Sequence, residues 1–394
     1  MEEIAEEDSY INNIKFSNKG KLFSVSLAHM FNDWYANYIQ TLLPFMVLAG
    51  LSISKGAYLI SAFTVTSSIL QPFFGYLVDQ KNQRWMVYVG TAWTALLLSF
   101  VGIVDNYTIK FILAAFAGLG TAAFHPQASA MVSAICGEKK AFSQAIFISF
   151  GNIGIAITPL MVVPYVKAYG LKSTLIFAIP GLLVAVLLWF TAPKTVFKKA
   201  NPVSAFQTLK ENWNELSKIV SVVAIRSLTY FGLIAFLPLY LIKEKHISIS
   251  ESSYIVFVML FSGALGGIIG GHLSDKFGKK IVIISSLILS CPFFYLFLEI
   301  NSPFKYLFLI MAGASLLSSF SVTIIAAQEI ISKNAAMASG LMLGFGVGIG
   351  GLGVSIIGLL AEHAGINYSI HLLIFLPLLA GLLGFGIKEV KNSA

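Results

Sequence analysis

The sequence predicts an all-α integral membrane protein of about twelve spanning helices, arranged as two six-helix bundles. Three observations predict it. Hydrophobic residues make up 57% of the chain and charged residues only 11%, where an ordinary soluble domain carries roughly a quarter charged. Apolar runs of roughly 20 residues, the length that crosses a bilayer core of about 30 Å, follow one another through nearly the whole chain. Finally, the sequence repeats at an offset of 196 residues: Gly75-Tyr76-Leu77-Val78-Asp79 returns as Gly271-His272-Leu273-Ser274-Asp275, and Ser143 and Gly154 fall onto Ser339 and Gly350. A repeat of that length indicates duplication of a whole six-helix unit.

Residues 1–21 read as an N-terminal tail bearing Glu2, Glu3, Glu6, Glu7 and Asp8, the opposite of the cationic start of a cleavable leader. The first apolar span is therefore expected to remain as a helix. Spans are predicted at about 22–49, 55–78, 85–104, 108–135, 142–167 and 172–193, which together form a bundle over 22–193. Charged residues or Gly, Asn and Pro mark their ends. Residues 194–218, with Lys194, Lys198, Lys199, Lys210, Lys218 and an amphipathic stretch around Trp213, read as a polar connector. The second bundle, 219–388, has spans at about 219–242, 250–274, 281–300, 304–331, 336–361 and 368–388, and 389–394 form a C-terminal tail.

The net charge of +8 would suggest nucleic acid in a soluble chain, but here the cations sit in short loops and set topology. With both termini cytoplasmic, cytoplasmic segments hold 18 of the 26 Lys and Arg, outer loops hold 7, and Arg226 lies within a span. The expected location is a cell membrane, crossed many times, with no nucleic-acid partner. Cys136 and Cys291 have neither metal-ligand spacing nor a pairing pattern and read as packing residues. We find no P-loop, metal-ligand cluster or nucleophile constellation, so no enzyme, cofactor or metal is expected. Parallel repeats about an axis along the membrane normal hold substrate near the midplane in secondary transporters, which places function between the halves.

Gly75-x-Leu77-x-Asp79 followed by Lys81 and Arg84, repeated as Gly271-x-Leu273-x-Asp275-Lys276-x-Gly278-Lys279-Lys280, resembles the signature loops of the major facilitator superfamily. Asn82-Gln83 depart from that pattern in the first copy. Further stretches resemble the fosmidomycin-resistance branch: His29-x-x-Asn32-Asp33, Phe124-His125-Pro126, Ser143-Gln144, Gly151-Asn152-x-Gly154-x-x-x-x-Pro159, Ala327-Gln328-Glu329 and Gly350-Gly351-x-Gly353. This resemblance implies a major facilitator fold and proton-driven efflux of a small molecule. Its partners would be a small-molecule substrate, protons and the lipid bilayer, with the monomer as the working unit.

Ionisable groups inside spans are costly, at least about 2.5–3.5 kcal/mol on insertion scales, and mark the place to look. In the first span His29, Asp33, Asn37 and Gln40 fall within about 80° of one another on a helical wheel, a polar stripe expected to face a water-filled cavity. Asp33 has two readings, a proton carrier or a permanent ion paired with Arg226 or hydrogen-bonded to His29. His125, before the helix-kinking Pro126, reads as a proton or substrate site because imidazole titrates near neutral pH, or as a packing hydrogen bond. Arg226 offers a permanently charged fork suited to carboxylate or phosphonate, or else neutralises Asp33.

Asp33 and His125 are thus the proton-coupling candidates, and His29, Asn37, Gln40, Arg226 and Tyr230 the substrate candidates. Trp34, Tyr35, Tyr38 and Phe231 are further candidates for the pocket wall. Gly75, Asp79, Arg84, Gly271, Asp275, Lys279 and Glu329 are assigned to gating at the cytoplasmic side. Glu299 and Glu362 read as boundary residues that reach water, outside the mechanism. Gly151, Gly154 and Pro159, with the run Gly344, Gly346, Gly348, Gly350, Gly351 and Gly353, read as close, sliding helix contacts. Expected function is alternating access by rocking of the halves, with export by proton antiport and with uptake by symport or uniport as the alternative.

Overall fold

The computed structural model describes residues 2–80, 83–135, 140–193, 202–331, 338 and 340–388. Side chains are described from residue 18 onward within these ranges, except 72, 76, 79, 80, 133, 140–145 and 202–206. Among the described residues every regular element is helical. A bilayer leaves few alternatives, because each backbone polar group there must be satisfied within its own segment.

The first half comprises α1 (Glu2–Ala36), α2 (Tyr38–Leu48), α3 (Ile53–Ile69), α4 (Gln71–Gln80), α5 (Trp85–Val101), α6 (Tyr107–Ile135), α7 (Lys140–Tyr169), a 3-10 segment Leu171–Phe177 and α8 (Ala178–Thr191). The second comprises α9 (Pro202–Lys243), α10 (Ile249–Phe277), α11 (Lys279–Glu299), α12 (Lys305–Ile330), a π-helical turn Leu341–Gly346, α13 (Val347–His363) and α14 (Ile366–Gly384). Ten helical stretches among the described residues are long and apolar enough to cross a membrane, and α5 is a shorter apolar helix of 17 residues. The polar first span, broken at Asn37 between α1 and α2, completes the expected set.

The connector expected over 194–218 is helical from Pro202 and runs unbroken into the seventh span as the 42-residue α9. Its amphipathic stretch continues the helical period, and Glu215 pairs with Lys218 at 2.8 Å and with Lys388 at 3.5 Å.

The internal repeat appears in individual contacts. Arg84, at the start of α5, donates to the carbonyls of Trp189 (2.7 Å) and Ala192 (2.8 Å) at the end of α8. Lys280, at the start of α11, donates to the carbonyl of Phe385 just past α14 at 2.7 Å. Lys280 lies 196 residues after Arg84, and Phe385 lies 196 after Trp189. A cation placed against the last carbonyls of a helix also meets the negative end of its dipole. Between these elements Gly278, at φ +92°, turns the chain sharply from α10 into α11, a conformation that favours glycine. Its repeat counterpart Asn82 lies outside the described residues.

The halves meet along α3 with α13 and α7 with α10. Ser61 donates to the Gly351 carbonyl at 2.7 Å. Side chains on Gly351 or Gly358 would collide with Thr64 and Ala57 respectively, so the small residues set the helix separation. At the end of the bundle away from the chain termini, here the distal end, Lys167 of α7 donates to Ser250 of α10 at 3.2 Å.

Candidate functional site

The polar stripe of α1 is drawn into the first half by three helices. His29 and Asp33 are one turn apart, and Nε2 of His29 lies 3.3 Å from Oδ2 of Asp33. From α6, Nε2 of His125 donates to Oδ1 of Asp33 at 3.0 Å. From α7, the Phe147 carbonyl receives Nδ1 of His29 at 2.7 Å, and the Phe147 ring stacks on the imidazole with centroids 3.9 Å apart. His29 is 7% exposed, whereas the Asp33 and His125 side chains keep 14% and 21%. The cluster is therefore held on one side and open on the other. Gly151 of α7 makes the room: a Cβ there would strike the Asp33 carboxylate and the His29 ring.

This arrangement constrains the protons. A carbonyl can only accept, so Nδ1 of His29 carries a hydrogen, and Nε2 meets a carboxylate oxygen with no second hydrogen unless one proton is shared across the 3.3 Å contact. His125 uses Nε2 as donor, which leaves Nδ1 as an acceptor; that atom is buried with no hydrogen-bond partner among the described residues. The three side chains also bring one ligand atom each within 4.8 Å of one another, a spacing available to a metal ion. Linear spacing gives no hint of that group. Asp33 is held by both imidazoles here, and we read the cluster as proton-sharing.

Asp33 is thus partnered by two histidines, and Arg226 is not its counterion. Arg226, 2% exposed on α9, donates from Nη1 to Thr323 Oγ1 of α12 at 3.3 Å and lies over the Phe320 ring, 4.7 Å from its centroid. No carboxylate of the described residues lies within ion-pair distance of it. Tyr230, one turn further along α9, is within electrostatic range of both Asp33 and Arg226. The two charged groups therefore address a common region from opposite halves.

Other candidates fall elsewhere. Asn37 donates to the Ile155 carbonyl of α7 at 2.9 Å and pins α1 to α7; Gln40 is buried in the same helix stack. Trp34, Tyr35 and Tyr38 pack inside the first half and do not line the space between halves: Tyr35 donates to the Phe177 carbonyl and Tyr38 to that of Thr174 at 3.4 Å. Lys279 and Glu329 form a 2.8 Å ion pair between the start of α11 and the end of α12. Gly75 and Gly271 occupy matching places, facing Pro126 and Ser321. Asp275 is exposed; the side chain of Asp79 and residues Cys136 and Ser339 lie outside the described set.

Sequence reasoning sets Glu362 aside, and the fold gives it a role. Oε2 of Glu362, at the end of α13, accepts the backbone N–H of Ser54 in the first turn of α3 at 3.0 Å, across the two halves at the distal end. The contact spans 308 residues, so no local pattern could have revealed it.

The family model of the Major Facilitator Superfamily matches residues 22–244 and again 219–393. The chain belongs to the Major Facilitator Superfamily. Among major facilitator relatives, the fosmidomycin resistance protein of Escherichia coli is 29% identical over 382 residues, covering 95% of this chain and 94% of that protein. A probable sulfoacetate transporter of Cupriavidus necator is 24% identical, covering 86% and 84% respectively. In fold, the crystal structure of a bacterial homologue of the human lysosomal transporter Spinster, inward-facing and unoccupied, matches with a TM-score of 0.79 at 16% identity, over 94% of this chain and 97% of that one. The protein is a multi-pass membrane transporter of the major facilitator fold.

Proposed function

We propose that this transporter is a proton-coupled antiporter that exports a small drug-like or anionic molecule by alternating access. In this reading it sits in a cell membrane with both termini cytoplasmic and works as a monomer. The observation that carries it is the carboxylate of Asp33 held between two imidazoles, at 3.3 and 3.0 Å, on the open side of the first half. Such a cluster exchanges a proton without stranding a bare charge in low dielectric, and His125 supplies a second acceptor. Drug export is supported by the fosmidomycin resistance protein among the relatives. An anionic cargo is supported by Arg226 and by relatives described as sulfoacetate and nitrate transporters.

Inward proton flow suffices energetically, since one charge moving through 100 mV supplies about 2.3 kcal/mol, or about fiftyfold in concentration. Glu362–Ser54 joins the halves at the distal, external side, and Lys279–Glu329 braces α11 against α12 within the second half beside its signature loop on the cytoplasmic side.

Uptake by symport is the second reading, and one observation favours it. Arg226 has no carboxylate partner among the described residues, and an added proton on the Asp33 cluster raises the positive potential that attracts an anion to it. By linkage, ligands that favour each other's binding do so reciprocally, which suits co-transport. Reconstituted vesicles with a pH-sensitive dye test the proposal: substrate-evoked proton movement that disappears in D33N supports coupling, and substrate exchange indifferent to pH and to D33N overturns it.

A further inference from the structure

The charge of Asp33 is partnered by two imidazoles, but the charge of Arg226 meets no carboxylate among the described residues. A buried guanidinium offers five N–H donors in a plane. Among the described residues one hydrogen bond, to Thr323, and one ring contact, over Phe320, account for its partners. Burying a charge without pairing it costs several kcal/mol, so the site is built to be completed by something that is not part of this chain. We infer that Arg226, Thr323 and Phe320 form a seat for an oxyanion head group that presents two oxygens side by side, the carboxylate, phosphonate or sulfonate class. This rests on the transporter reading above and names the substrate class of its second half.

The geometry selects the class. Phe320 lies against the guanidinium, and Thr323 engages Nη1 while its own hydroxyl donates to the Phe320 carbonyl at 2.9 Å. Thr323 is thereby fixed as an acceptor toward Arg226, which locks the rotation of the fork. With the guanidinium carbon over the ring and Nη1 tethered, the N–H groups left for a ligand lie along the edge of the guanidinium plane, where two parallel ones match two oxygens of one head group. A spherical anion uses the charge but not the fork. A lysine supplies the charge without the planar fork. Tyr230 stands one turn along on the same helix, within electrostatic range of Arg226. Its phenol is a further donor and acceptor for the body of the ligand.

Thr323 acts as a positioning residue, and neither it nor Phe320 carries a signal in the linear sequence. Both lie on α12, 97 and 94 residues from Arg226, in an apolar run that reads as an ordinary span.

Thermal unfolding of the purified full chain in detergent, at fixed ionic strength, tests the seat with methylphosphonate, acetate and bromide as probes. Both oxyanions are expected to raise the unfolding temperature of the wild type in a saturable way, and bromide is not. The R226K variant should weaken oxyanion binding by about tenfold or more, the size expected for a lost charge-assisted hydrogen bond. T323V should weaken it and T323S restore it, a rescue that keeps the test alive if Arg226 variants fold poorly. Equal shifts by bromide, no oxyanion shift in the wild type, or an oxyanion shift that survives both R226K and T323V would each overturn the seat. D33N separates the two proposals: it removes the negative charge that faces the same region and should strengthen the oxyanion shift, so loss of proton coupling with enhanced binding bears on the antiport reading alone.

Discussion

His125 donates to Asp33 across 3.0 Å from a helix 92 residues away in sequence, while its other ring nitrogen is buried without a hydrogen-bond partner among the described residues. Asp33 therefore cannot change protonation without altering a hydrogen bond that ties α1 to α6. The D33N variant keeps the size of the side chain but cannot cycle a proton. Substrate-driven proton movement should be abolished, with oxyanion binding strengthened. H125Q keeps a donor toward Asp33 and an amide oxygen as acceptor, and removes the ring that can take up a proton. Its transport should persist at a reduced rate. A dye-based flux assay reads both.

Gly151 faces this pair directly. An added methyl would meet the carboxylate of Asp33 and the ring of His29, neither of which can retreat, because His29 is stacked on Phe147 and bonded to its carbonyl. G151A should destabilise the protein by about 1–3 kcal/mol, the usual cost of overpacking, and remove transport. G267A is the control, since a Cβ there has only ordinary contact with the Leu317 carbonyl. Unfolding temperatures in detergent together with flux separate the outcomes; equal behaviour of the two variants would show that Gly151 is not supporting the cluster.

How much of this is legible in the sequence differs from residue to residue. The membrane fold follows from apolar runs alone, and the 196-residue repeat anticipates that Arg84 and Lys280 hold matching places. The His29–Asp33 contact follows from one-turn spacing on a helix. The pairing of Asp33 with His125, the clearance at Gly151 and the Thr323–Arg226 contact depend on which faces of separate helices meet. Helices that are apolar nearly all round carry little information about that. The aromatic residues Trp34, Tyr35 and Tyr38 show the limit from the other side: next to polar residues in sequence they read as pocket wall, yet they turn into the packing of the first half.

The Lys279–Glu329 pair, 2.8 Å apart with side chains 19% and 27% exposed, closes the start of α11 on the end of α12. K279E and E329K should each slow transport, and the double exchange should recover much of it. A double-mutant cycle on transport rate should return a coupling of about 0.5–3 kcal/mol, the range for residues in direct contact. Additive losses would show that the two residues act separately.

Glu362 accepts the N–H of Ser54 from the other half, so the carboxylate caps the first turn of α3, where the helix dipole favours a negative charge. E362Q keeps an oxygen for that N–H and loses the charge; E362A loses both. Opening at the distal end should rank alanine above glutamine above wild type. Maleimide labelling of a cysteine introduced at Thr41, 8% exposed, reads it in a chain whose Cys136 and Cys291 have been replaced. The same labelling rate in all three would mean that closure rests on the glycine contacts between α3 and α13.

Direction of coupling is the remaining question, and it has a test that does not depend on how the protein is oriented in a vesicle. Exchange drives substrate toward the acidic side, because protons leave that side as substrate enters it. Co-transport drives substrate toward the alkaline side. For the antiport proposed here, labelled methylphosphonate should accumulate in vesicles with an acidic lumen, and D33N should remove the accumulation. The electrostatics around Arg226 bear on the result: a proton on the Asp33 cluster and an anion at Arg226 attract one another, so antiport requires that the doubly loaded protein be unable to reorient. Phosphonate accumulating in alkaline-lumen vesicles instead would show that it does reorient, and the protein would then be a symporter using the same residues.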